Sequence, residues 1–310
     1  MSQGRRGYLY GLGAYVLWGF FPLYWKLLRP AGAIEILAHR VLWSAAFVAL
    51  LLAAARNWGF LRRLARRPRT LAGITLAATI IGLNWFTYIY GVNTDRVVET
   101  ALGYFINPLV TVLLGVLVLR ERLRPAQWLA VGIGAVAVAV LTADYGRPPY
   151  IALALAFSFG SYGLVKKTLG LPAAEGLFVE STVLALPAVG YLGWVAARGT
   201  GTFGEVSTGH TALLVLSGAI TAVPLLLFAG AANRIPLSGL GILQYTAPIL
   251  QLACGVLIFH EPMPAARLAG FALVWAALVL FTADALRHAR RQARAAQVTA
   301  AAEPAAAAAR

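Results

Sequence analysis

Runs of about twenty apolar residues return along the whole chain, each long enough to cross a hydrocarbon core of roughly 30 Å as a helix. Of the 310 residues, 60% are hydrophobic and only 12% charged, and soluble domains carry about twice that charged share. The expected fold class is therefore an all-α integral membrane protein. Periodicity and turn signals place ten spans, at about 7–28, 34–55, 71–91, 100–119, 126–143, 150–168, 177–197, 211–231, 238–259 and 265–284. The first follows a short basic start, Arg5 and Arg6. It is too long for the apolar region of a signal peptide and lacks a small-residue cleavage site, so it reads as a retained helix.

A formal net charge of +15 raises the question of nucleic acid, but the basic residues alternate between the two sides of the membrane. Arg62, Arg63, Arg66, Arg67 and Arg69 share one side with Arg120, Arg122, Arg124, Lys166, Lys167 and the basic tail. Lys26, Arg29, Arg96, Arg147, Arg198 and Arg267 make a thinner set on the other. The bias puts both termini in the cytoplasm, and no nucleic-acid partner is expected. The single Cys254 excludes an internal disulfide and a Cys-based metal cluster. No metal site and no cofactor are expected.

A shift of 140 residues aligns the two halves without a gap from Ile81–Asp144 to Thr221–Asp284. Asn93 then meets Asn233, Pro108 meets Pro248, Glu121 meets Glu261, and the Thr-Ala-Asp run ending at Asp144 meets the one ending at Asp284; farther out, Glu35 meets Glu175. Two five-helix units follow, 7–145 and 150–285, with residues 286–310 as a disordered cytoplasmic tail. Five is odd, so the second unit enters the membrane from the opposite side. Inverted repeats of this kind are a recurrent plan of secondary transporters, with the substrate site near the midplane.

Four stretches, "AYVLWGFFPLYWKLL", "EILAHRVLWS", "ALGYFINPLVTVLLGVLVLRERL" and "LGILQYTAPILQLACGVLIFHEP", resemble the chloramphenicol-sensitivity permeases of the EamA family in the drug/metabolite transporter superfamily. The resemblance covers residues 7 to 285. It implies a ten-helix permease of two EamA units in the bacterial inner membrane, exporting an amino acid, metabolite or drug.

Polar residues inside the spans mark the candidate pathway. Tyr104, Asn107 and Thr111 fall at i, i+3 and i+7 on one helix face; Gln244 and Gln251 repeat the outer positions, with Tyr245 beside them. Asn84 and Tyr88 lie on the third span, Trp18 on the first and Ser161 on the sixth. Interhelical hydrogen bonding and a cavity lining are both open for these groups. Pro22, Pro108 and Pro248 each delete a helical hydrogen bond and are candidate hinges. Glu35 and His39 sit one turn apart at the outer start of the second span, with Arg40 a little deeper. Arg40 either snorkels outward or binds an anionic group while Glu35 and His39 carry a proton. Glu121, Glu261, Asp144 and Asp284 flank helix ends and read as structural.

No GxxxxGK[ST] sequence occurs, so ATP-driven transport by this chain alone is unsupported. An intramembrane enzyme acting on lipid needs a cluster of acid, base or metal-binding groups at one membrane face, and nothing beyond Glu35 and His39 offers one. A membrane scaffold or sensor has no use for a repeated polar stripe. The expected function is a secondary transporter of a small-molecule solute working by alternating access.

Overall fold

The computed structural model describes residues 3–308 apart from 57, 121 and 170–172, so Glu121 lies outside the described residues. The described residues are helical throughout their regular structure. In chain order the helices are α1 (Gln3–Gly19), α2 (Phe21–Leu27), α3 (Ala33–Ala54), α4 (Gly59–Ala65), α5 (Pro68–Asn93), α6 (Val97–Leu119), α7 (Pro125–Tyr145), α8 (Tyr150–Leu169), α9 (Ala173–Ala197), α10 (Thr208–Ala232), α11 (Leu237–Leu243), α12 (Thr246–Ala253) and α13 (Ala265–Ala308). Eight stretches are long and apolar enough to cross a membrane, and Tyr150–Lys166 is a shorter apolar helix.

Two of the expected continuous spans are interrupted. The first divides at Phe20 into α1 and α2, with Pro22 in the first turn of α2, where its fixed φ suits the start of a helix. The ninth divides at Gln244 and Tyr245 into α11 and α12, and then widens into a π-helical turn over Cys254–Ile258. Pro248 therefore also stands in the first turn of a helix rather than at a mid-helix kink. Pro108 alone of the three lies inside a continuous helix, α6. Two further departures concern the connections. The basic segment after the second span, expected as a loop, carries the short helix α4. The tail, expected as disordered, continues α13 to Ala308, in keeping with its alanine content, since alanine is the best helix former.

The helices fall into two compact units, one comprising residues 1–114 and 149–263 and the other residues 115–148 and 264–310. In the larger unit α3 packs against α9 and α10, α5 against α8, and α1 against α10 and α12. Small residues permit these approaches, as is general where lipid rather than water surrounds a bundle. A Cβ on Gly218 of α10 would lie 2.2 Å from the backbone carbon of Trp43 on α3, and one on Gly103 of α6 would lie 2.8 Å from the Ala152 carbonyl oxygen of α8. In the smaller unit α7 lies along α13. Arg124 donates to Asp284 at 2.7 Å and Arg267 to Asp144 at 2.8 Å, so the pair is antiparallel and joined at both ends.

Helix ends are satisfied locally or by distant carboxylates. Gly146 closes α7 in the left-handed conformation, and Ser207 caps α10 by accepting from the His210 N–H at 3.0 Å. Glu261 accepts from the Val97 and Val98 N–H groups at 2.6 and 2.8 Å, and Glu99 accepts from the Ile151 N–H at 3.1 Å. Each places a negative charge at a helix N-terminus, where the helix dipole favours it.

Gly218→Ala is expected to destabilise the protein by about 1–3 kcal/mol, because the contacted atoms are backbone and cannot rotate away. The lowered midpoint of thermal unfolding in detergent, against the native chain, is the measurement.

Candidate functional site

Every side chain singled out in the sequence as a pathway, proton or anion candidate belongs to the larger unit. They form four groups with different chemistry.

The first is built on the interrupted helices. Pro22 has no N–H, so the carbonyl four residues earlier, that of Trp18, loses its helical donor. The Gln251 amide of α12 supplies one at 3.1 Å. Gln251 is 3% exposed and its Oε1 has no partner among the described residues. Trp18 itself packs edge-on to Tyr15 and against Phe228 of α10. Gln244 and Tyr245, half-buried, occupy the break between α11 and α12.

The second group lies on α5, α6 and α8. Asn84 is buried and donates to the Leu155 carbonyl at 3.1 Å and to the Ser158 hydroxyl at 2.9 Å, which makes it a tie between α5 and α8 rather than a cavity-lining group. Tyr104 packs edge-on to Tyr88 with ring centroids 5.7 Å apart. One and two turns along α6, Asn107 is half-buried and Thr111 exposed. Their side-chain oxygens border Gly160 of α8, and Ser161 beside it is half-buried.

Arg40 centres the third group. It is 4% exposed, so it does not snorkel to an aqueous surface. Its guanidinium lies over three rings, Trp85 at 4.2 Å, Trp25 at 5.0 Å and Phe21 at 5.9 Å, and among the described residues no carboxylate pairs with it. The position 140 residues later is Glu180, equally buried but fully engaged: it accepts from Lys166 at 2.7 Å and from the Tyr162 hydroxyl at 3.0 Å.

The fourth group surrounds a cleft of about 470 Å³ between the start of α3, the end of α9 and the segment before α10, lined by Glu35, His39, Trp43, Phe203 and Glu205 among others. Glu35 and His39 are both buried, yet each is held by the 200–207 segment. Glu35 accepts from the Thr202 N–H at 2.7 Å and its hydroxyl at 2.9 Å, and the same hydroxyl lies 3.0 Å from His210 Nε2. His39 stacks on Phe203 at 4.8 Å. Its Nδ1 accepts from Trp43 Nε1 at 3.3 Å, and tryptophan can only donate, so the neutral ring carries its proton on Nε2. Thr202, Phe203 and His210 escaped the sequence reading, since one threonine, one phenylalanine and one histidine in a loop and a helix start carry no spacing signal.

Outside the spans, Lys26 and then Arg29 hold the Asp95 carboxyl below its usual range by hydrogen bonding and charge, which ties α2 to the α5–α6 turn. Among the described residues no group of three His, Cys, Asp or Glu side chains is placed to hold a metal ion.

Apolar helices of this number and length, with buried charges and amides between them, define a multi-pass membrane protein. Residues 5–143 match the EamA-like transporter family. The chain is 57% identical over 290 residues to Protein RarD of Streptomyces exfoliatus, covering 94% of this chain and 92% of that one. It is 45% identical to the uncharacterized transporter YojE of Bacillus subtilis (strain 168), with 91% and 95% covered, and 41% identical to Protein RarD of Escherichia coli (strain K12), with 94% and 98% covered. A crystal structure superposes with a TM-score of 0.56 at 21% identity, covering 91% of this chain and 98% of the other, a likeness that bears on the fold alone. The chain belongs to the RarD proteins of the EamA-like transporter family.

Gln251→Leu is expected to cost about 1–3 kcal/mol by leaving the Trp18 carbonyl without a donor in a water-free setting. Pro22→Ala returns a backbone N–H four residues after Trp18 and should reduce that loss. A double-mutant cycle on unfolding midpoints reads the coupling, and additive effects would count against the bond.

Proposed function

We propose that this protein is a secondary transporter that exports a small metabolite or drug-like solute across the bacterial inner membrane by alternating access. Two inverted five-helix units, residues 7–145 and 150–285, would rock about a site near the midplane, with ten crossings in all and both termini in the cytoplasm. The observation that carries this reading is the meeting of two interrupted helices, α1–α2 and α11–α12, through Gln251 and the Trp18 carbonyl. Interrupted helices expose backbone polar groups in the membrane interior, and in secondary transporters such helices form the substrate site and bend as access changes sides. The membership of the chain in a transporter family supports the same conclusion.

In this proposal the α6 stripe of Tyr104, Asn107 and Thr111 lines the solute path together with Trp18, Ser161, Gln244 and Tyr245, while Asn84 and Gln251 hold helices together beside it. Pro22 and Pro248 keep the helices that move from closing into uninterrupted rods, and Pro108 withholds one hydrogen bond from within the continuous α6. Glu35, His39 and Glu180 are the buried groups through which a proton could couple to the cycle. Thr111 is exposed and Asn107 half-buried, so their truncation tests the path without removing a core contact.

Metabolites in cells and medium are compared for a strain lacking the gene, one overproducing the native protein, and one overproducing Asn107→Ala/Thr111→Ala at matched membrane abundance. A solute should leave the cells with the native protein, and roughly tenfold more slowly with the variant, as the loss of one to two hydrogen bonds predicts. Equal export by both removes the α6 stripe from the path. No native-dependent solute across varied media removes the transporter reading.

A further inference from the structure

Three neighbouring groups in the larger unit are donors, and all three are left over by the fold. The Arg40 Nε, the Trp25 Nε1 and the Tyr88 hydroxyl are buried without a hydrogen-bond partner among the described residues. Arg40 stacks with Trp25 directly, and Tyr88 lies one turn along α5 from Trp85, on which the guanidinium rests, within electrostatic reach of Arg40. A guanidinium offers five N–H groups in one plane and an indole offers one, and neither can accept. The rings of Phe21, Trp25 and Trp85 meet the charge through their π faces, but they give no acceptor to those N–H groups. Buried polar groups in native proteins are almost always satisfied, so a cluster left over in which two of three groups can only donate asks for an acceptor. Arg40 also lies about 10 Å along α3 from its start at Ala33 by the helical rise. An ionisable residue at that depth marks a site by default.

The repeat sharpens the contrast. Glu180, the position 140 residues on, has both oxygens engaged by Lys166 and Tyr162. At the matching sequence position, then, this chain buries a charge with both of its oxygens partnered.

Building on the transporter reading, we propose that the buried cluster of Arg40, Trp25 and Tyr88 binds the anionic group of the transported solute. The substrate class is an organic anion whose carboxylate or similar oxyanion accepts from Arg40, Trp25 and Tyr88. Its apolar body lies against the surrounding rings and reaches the α6 stripe where Tyr88 meets Tyr104. The bidentate fork of arginine suits a planar carboxylate, and a neutral or cationic solute would leave the guanidinium without a counter-charge.

The test uses the purified full chain in lipid nanodiscs, with thermal unfolding as the readout and benzoate, benzamide, chloride and inorganic phosphate as probes. Benzoate should raise the unfolding midpoint, and benzamide, its uncharged isostere, should not. Arg40→Met should unfold no earlier than the native protein, because a buried charge without a counter-ion among the described residues has been removed, and should lose the benzoate response. Tyr88→Phe, nearly isosteric, should need about tenfold more benzoate for the same shift. Equal responses to benzoate and benzamide, or a benzoate response surviving in Arg40→Met, overturn the proposal. Earlier unfolding of Arg40→Met also overturns it, since the guanidinium is then part of the scaffold. A full response to chloride or phosphate that benzoate cannot add to overturns the organic-anion class. Because binding is read without transport, absence of export in cells counts against the transporter reading alone.

Discussion

The constraint that the rest of the structure answers to is the absence of water in the hydrocarbon core, which obliges every backbone N–H and C=O there to find a partner inside the protein. An unbroken helix meets that obligation alone. This chain interrupts two helices, and the carbonyl orphaned by Pro22 is met by a side chain 233 residues away in sequence, that of Gln251. The interruption in α1–α2 thus depends on α12, which begins just beyond a break of its own. Around this crossing Tyr15, Trp18 and Phe228 pack edge-on and tilted against one another, so the region is polar at the backbone and apolar at the periphery.

Buried charge is handled with equal economy, save at one place. Glu261 and Glu99 serve helix N-termini, Glu35 is wrapped by Thr202, and Glu180 holds Lys166. Against these stands Arg40. An arginine at the centre of a membrane helix costs about 3 kcal/mol on insertion scales, and a desolvated cation–π contact returns about 2 kcal/mol. Trp85 and Trp25 therefore come near to offsetting the charge of Arg40 while leaving its Nε without a partner among the described residues. A tolerated charge with unmet donors is a different object from a satisfied one such as Glu180.

The all-helical membrane class and the 140-residue repeat could be read from periodicity and identity alone, because the bilayer permits few solutions and repetition is a property of the string. The pathway residues were legible as polar interruptions, but not their partners. Asn84 and Asn107 look alike in sequence; one is consumed by α8, and the other lies half-buried beside Gly160. Gln251 reads as the echo of Thr111, yet its work is set by a proline on another helix. Proline content announced disturbed helices without locating the breaks, which at Phe20 and at Gln244–Tyr245 precede the prolines by two to four residues. Thr202 and His210 could not be found at all, since what unites them with Glu35 is tertiary proximity across 167 residues.

Asp144 and Asp284, matched by the repeat, meet Arg267 and Arg124 at opposite ends of α7 where it lies antiparallel to α13. The two ion pairs are separated by about 25 Å, the helical rise from Arg267 to Asp284. A slide of either helix along the other would lengthen both bonds together, and a rotation would swing both carboxylates away. The pair is thus clamped in register like a dowel pinned twice, a length of fixed scaffolding in a chain that cuts two of its other spans into shorter pieces.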